Sequence, residues 1–188
     1  IFSDWLAMVE NQTGRKLKCL RTDNGGEFKS EEFVKFCRER GIRREYTTPY
    51  SPEQNGIAER MNRTIQERVV SMLQHSGLSD GFWAEALLTA VHIINMSPSR
   101  PLGLQIPQEI WTGSKPNYDK LRIFGCEAYA LIPKDDRRKL EPRSRKCVFL
   151  GYGPDGEIRY RLWVIVVDVA IWIIIHNNFV PLSLSLSL

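Results

Sequence analysis

Paired cysteines, histidine clusters and a membrane-length apolar run are all missing from this chain. Its four cysteines, Cys19, Cys37, Cys126 and Cys147, are widely spaced. None forms a C-x-x-C pair or stands at zinc-finger spacing from a histidine, which excludes a disulfide framework and a zinc module and leaves reduced thiols as the expectation. His75, His92 and His176 have no ligand-like partners in sequence. The longest apolar stretch, residues 162–175, is 14 residues long and is interrupted by Asp168. A membrane-spanning helix needs about 20, so no membrane partner is expected. The chain opens Ile1-Phe2-Ser3-Asp4, with neither an initiator Met nor a basic leader, and is expected to be a fragment or a processed piece.

What the chain does contain is globular in character: 43% hydrophobic and 26% charged residues over 188 positions, with a net charge of +4. The positive charge is clustered. Arg38, Arg40, Arg43 and Arg44 form one group; Lys134, Arg137, Arg138, Lys139, Arg143, Arg145 and Lys146 form another. Each reads as a phosphate-binding surface or as a solvated face, and the solvated face is the expectation.

Helix and strand signals alternate over the first half. Phe2, Leu6 and Val9 predict a helix stopped at residues 11–14, and residues 16–21 alternate like a strand. Ser30-Glu31-Glu32 is a helix start, Gly41 its stop, and residues 42–48 form a second strand, parallel to the first through the crossover helix. Residues 49–56 form a breaker-rich loop. A long helix then starts at Ile57 and stops at Gly77, with Ile57, Met61, Ile65, Val69, Met72 and Leu73 as its apolar stripe. A second helix, residues 80–95, is apolar nearly all round and is expected to be buried. From residue 121, four short apolar runs (121–124, 128–131, 147–150 and 160–163) predict a small β module. Beyond Trp163 charge nearly vanishes, and residues 183–188 repeat Ser-Leu. This tail is expected to lie outside the fold, as translated non-coding sequence.

The chemistry rests on two carboxylates. Asp23 follows the first strand inside the turn Asp23-Asn24-Gly25-Gly26, and Glu59 opens the long helix after 35 intervening residues. In a strand–helix–strand unit both positions face the same sheet edge, where hard cations such as Mg²⁺ or Mn²⁺ take oxygen ligands. A two-metal site normally needs a third carboxylate. Glu59, Asn62, Arg63 and Gln66 share one helix face. Arg63 can meet a phosphate, and Asn62 or Gln66 can hydrogen-bond bases or backbone. Gln54 and Asn55 stand just before the helix; Glu53 is a decoy acid in the loop. From spacing alone, Asp23 as a turn-former and Glu59 as a helix-start acid are the expectation; the surrounding Asn24-Gly25-Gly26, Gln54, Asn55 and Arg63 shift it towards a metal pair.

These residues also carry a family resemblance. The stretches Leu20-Arg21-Thr22-Asp23-Asn24-Gly25-Gly26-Glu27-Phe28 and Thr48-Pro49-Tyr50-Ser51-Pro52-Glu53-Gln54-Asn55-Gly56-Ile57-Ala58-Glu59-Arg60 resemble the integrase of copia-type (Ty1/copia) LTR retrotransposons, within the retroviral integrase superfamily. Residues 62–64, 107–116, 121–126 and 146–152 continue the likeness, which covers about residues 1–163.

The resemblance implies an α/β, RNase H-like catalytic core over residues 1–97, a linker with a short helix at 98–120, an SH3-like β module at 121–163 and a non-family tail at 164–188. It implies that Asp23 and Glu59 are the second and third members of a D,D-35-E triad holding Mg²⁺ or Mn²⁺; from their positions around that pair, Asn24, Gln54, Asn55, Asn62, Arg63 and Gln66 are expected to contact nucleic acid. Asp4 lies on the opening helix and does not match the first aspartate. The core is therefore expected to be N-terminally truncated, without its first three strands, and this chain alone inactive. Element-end and target DNA are the implied partners; for the intact integrase of the parent element the resemblance implies a homo-oligomer working in the nucleus and in cytoplasmic virus-like particles. The competing reading is a non-catalytic DNA- or protein-binding relic; a membrane-anchored protein rests on residues 162–175 alone.

Overall fold

The computed structural model describes residues 1–47, 56–153, 159–164 and 172–176. It divides into two units, residues 1–63 and 64–188.

The first unit opens with α1 (Phe2–Thr13), which ends at Gly14 in the left-handed conformation. β1 (Cys19–Thr22) and β2 (Arg43–Tyr46) pair in parallel, Cys19 opposite Arg43 and Thr22 opposite Tyr46. α2 (Glu31–Glu39) connects them and starts as its sequence demands: the Ser30 hydroxyl accepts from the Phe33 N–H at 3.3 Å, and Glu31 and Glu32 occupy its first turn. Leu6, Cys37 and Ile42 are buried, with Phe2, Leu17, Leu20, Phe33 and Phe36 packed around them. β1 begins later than the alternation of residues 16–21 predicts. The cause is Glu10, whose carboxylate accepts from the Leu17 N–H at 3.0 Å and from Lys16 Nζ at 2.7 Å, tying that stretch to the end of α1.

The long helix α3 (Gly56–Ser76) runs across the division between units. Four of the six residues of its apolar stripe pack into the core, Val69 and Leu73 buried and Ile65 and Met72 partly buried, whereas Ile57 is 81% exposed and Met61 is exposed too. In the second unit α4 (Trp83–Asn95) follows a short 3-10 turn, and α5 (Pro107–Thr112) lies in the segment expected to carry one short helix.

An antiparallel sheet of β3 (Glu127–Leu131), β4 (Ser144–Tyr152), β5 (Arg159–Val164) and β6 (Trp172–His176) completes this unit in the order β3-β4-β5-β6. Leu150 packs with Val69, Leu73, Ala86, Ala90 and Phe124, and Phe149 with Ala128, Ala130, Cys147, Tyr160, Leu162 and Val164.

Three expectations need correction. Residues 121–124 do not form a strand: the Arg122 N–H donates to the Tyr152 hydroxyl at 2.9 Å, and the chain turns at Gly125 (φ 81°), where a Cβ would lie 2.2 Å from Ser76 Cβ. α4 is not buried all round; Trp83 and Leu88 are exposed, while Glu85 and Thr89 are buried. Within the stretch set apart as a tail, Val164 is buried in β5, and β6 pairs with β5, Trp163 opposite Trp172. No helix among the described residues is long and apolar enough to cross a membrane.

Candidate metal centre

Asp23 is the first residue after β1 and is exposed. Its Oδ1 accepts from the Gly25 N–H at 3.0 Å, so the side chain shapes the turn it sits in. Asn24 does a different job: its Nδ2 donates to the Thr47 carbonyl at 2.8 Å, while the Thr47 N–H donates to the Thr22 carbonyl at 3.0 Å. Together these bonds pin the turn to the end of β2. The backbone of a metal or phosphate site must be held in this way before ligand binding, since ordering it afterwards costs entropy.

Sequence reasoning overlooked two neighbours. Glu27 folds its carboxylate back over Gly25 so closely that a Cβ there would lie 2.7 Å from its oxygens. A side chain at Gly25 would displace that exposed carboxylate. Tyr46, the last residue of β2, donates its hydroxyl to the Phe28 carbonyl at 3.3 Å and accepts from Arg44 Nη1 at 2.8 Å. The acidic residue two positions past Gly25 and the tyrosine ending the second strand were the available signals.

Across the two strands Arg21 and Arg43 both grip Glu45, at 2.9 and 2.8 Å. The hydrogen bond from Arg21 leads in holding the Glu45 carboxyl below its ordinary range. Arg40 lies over the Phe36 ring and Arg44 over Tyr46. Three of the four arginines of the first basic cluster therefore have partners within their own unit.

Glu59 lies in the first turn of α3 and is exposed, as are Asn62 and Arg63. Gln66, also exposed, falls just beyond the division, in the second unit. Glu53, Gln54 and Asn55 lie outside the described residues. Among the described residues no three His, Cys, Asp or Glu side chains gather closely enough to hold a metal ion. The donor chemistry of Asp23 and Glu59, exposed carboxylate oxygens, fits a hard divalent cation, and neither closes a site alone.

Two family models match the chain: the C-terminal domain of TnsB over residues 9–75, and the retroviral polymerase SH3-like domain over residues 126–168. The retrovirus-related Pol polyprotein from transposon TNT 1-94 of Nicotiana tabacum is 52% identical over 163 residues, covering 87% of this chain and 12% of that protein. An uncharacterized mitochondrial protein of Arabidopsis thaliana is 50% identical over 86 residues, 46% of this chain and 69% of that protein. Likeness to solved structures is looser. The catalytic core domain of HTLV-2 integrase, solved with magnesium, aligns at a TM-score of 0.42 and 23% identity over 56% of this chain and 64% of that one.

Proposed function

Because this chain belongs to the retrovirus-related Pol polyproteins of plant copia-type transposons, we propose that it is part of their integrase, with Asp23 and Glu59 as two of three carboxylates that hold Mg²⁺ or Mn²⁺. The first, on this reading, lies elsewhere in the polyprotein, of which the chain spans about an eighth in the tobacco relative. The RNase H-like sheet would be completed there as well, and this chain alone would be inactive.

The observation that carries the proposal is the pinned turn. Asn24 locks the Asp23 loop to the end of β2, so a carboxylate sits at a fixed strand end, and Glu59 stands in the first turn of a helix. Bound between such carboxylates, a divalent cation would polarise a phosphodiester and favour hydroxyl attack during 3′-end processing and strand transfer. The chain's own residues do the placing. Asp23 and Glu59 offer oxygen ligands. Arg63 meets a DNA phosphate, and Asn24, Gln54, Asn55, Asn62 and Gln66 offer hydrogen bonds to the strands. Element ends and target DNA are the substrates, a homo-oligomer the working form, and the nucleus and cytoplasmic virus-like particles its places of work.

The alternative, a non-catalytic DNA-binding relic, draws on the hairpin between β3 and β4, where Lys139, Arg143 and Arg145 are exposed. That hairpin also spends charge internally, Lys146 on Glu127 at 2.5 Å and Arg138 on Glu141 at 3.9 Å. A strand-transfer assay separates the readings. The chain is joined in frame to the preceding part of its polyprotein and given element-end DNA with Mg²⁺. Catalysis should appear there, and Asp23→Asn and Glu59→Gln should each abolish it while DNA binding persists. Binding without any strand transfer in the joined protein would favour the relic.

A further inference from the structure

We infer that the bulge in β4 is a built socket for α4, and that a polar stripe on this helix makes helix and sheet one cooperative body. α4 reads Trp83-Ala84-Glu85-Ala86-Leu87-Leu88-Thr89-Ala90-Val91-His92-Ile93-Ile94-Asn95. Apart from Asn95 at its end, its polar residues are Glu85, Thr89 and His92. They recur at i, i+4 and i+7, on one face. An ordinary amphipathic helix turns such a stripe to water. Here Glu85 is 8% exposed and Thr89 1%, and burying a carboxylate and a hydroxyl is costly unless each is matched.

Each has a partner at the same place in the sheet. The β4–β5 pairing slips between Phe149 and Gly151: Phe149 faces Leu162 and Gly151 faces Arg161, so Leu150 has no residue opposite. A bulge of this kind takes backbone groups out of the regular ladder. The Leu150 carbonyl accepts from Thr89 Oγ1 at 3.0 Å. Gly151 (φ 145°) leaves the room for that approach, since a Cβ there would lie 2.5 Å from Thr89 Oγ1. Arg161, across from Gly151, forms an ion pair with Glu85. At the end of β4, Tyr152 stacks on His92 with centroids 4.1 Å apart. A shift of α4 by one residue would break all three contacts, whereas an apolar face alone would tolerate several registers.

The consequence is a unit wider than the β strands. α4 precedes residue 126, where the match to the SH3-like model begins, yet its Thr89 and Glu85 are the partners of the Leu150 carbonyl and of Arg161 in that sheet. The inference stands independently of any catalytic role for Asp23 and Glu59.

Hydrogen exchange on the full chain tests it. Arg161→Met leaves Glu85 buried and unmatched. Protection should fall in α4 and in β4–β5 together, on the order of a hundredfold. Adding Glu85→Leu to Arg161→Met removes the stranded carboxylate and should restore much of the protection in both. Leu88→Ser, on the exposed face of α4, should change neither. If Arg161→Met does not fold, Thr89→Val decides: it deletes one hydrogen bond at constant shape and should lower protection in both elements by about tenfold. Loss confined to α4, with β4–β5 unchanged, or a double variant no better than the single, would overturn the proposal.

Discussion

In residues 1–63 Asp23, Asn24 and Glu59 stand exposed at a strand end and a helix start, whereas in residues 64–188 Glu85 and Thr89 are buried between a helix and a sheet. Among the described residues of the first unit, the buried hydrophobic cluster is Leu6, Cys37 and Ile42. In the second, Glu85 and Thr89 are buried against a sheet whose strands carry Cys147, Phe149, Leu150 and Leu162 at or near zero exposure. Exposed polar groups are free to meet a ligand, and buried ones are committed to the fold. On the proposed function, the first unit carries chemistry, while the buried pairs of the second serve stability.

Cutting into the second unit's core should give the largest effect. Phe149→Ala removes a fully buried ring and should cost about 3–5 kcal/mol. Urea unfolding followed by hydrogen exchange should place that loss in β3–β5 and leave α1 and α2 unchanged. Simultaneous loss in both units would break the comparison. A smaller effect is expected in the first unit, where Ser30→Ala deletes the hydroxyl that caps α2. About 1 kcal/mol should go, confined to α2.

The smallest effect is a change of slope. Burial pushes the Glu85 carboxyl up, with Arg161 opposing less strongly. A group that holds its proton more tightly when folded adds stability below its unfolded pKa, and that contribution is lost as pH rises through the folded value. Glu85→Gln keeps an acceptor for Arg161 and cannot ionise. Its stability relative to the native chain should therefore rise as pH climbs above about 4. A difference that stays flat with pH would mean that Glu85 titrates alike in both states.

Much of this arrangement is legible in the residues. The Ser30 cap, the glycine stops at Gly41 and Gly77, the parallel strand pair and the first-turn position of Glu59 follow from local chemistry acting over a few positions. The start of β1 does not, because Glu10 captures Leu17 from outside the strand. Nor does the orientation of α4: its hydrophobicity is nearly uniform, and only partners 61 and 76 residues away reveal why Glu85 and Thr89 turn inward. β6 is hidden for a related reason. Its composition departs from the rest of the chain, while its pairing with β5 is a matter of backbone register.

On the proposed function Asp23 and Glu59 are cation ligands. Paramagnetic broadening by Mn²⁺ in an isotope-labelled sample of this chain tests it without requiring catalysis. Signals from Asp23, Asn24, Gly25 and Glu59 should broaden first, and Mg²⁺ in excess should sharpen them again. Broadening first at other exposed carboxylates such as Glu127 or Glu141, with Asp23 and Glu59 still sharp, would contradict it.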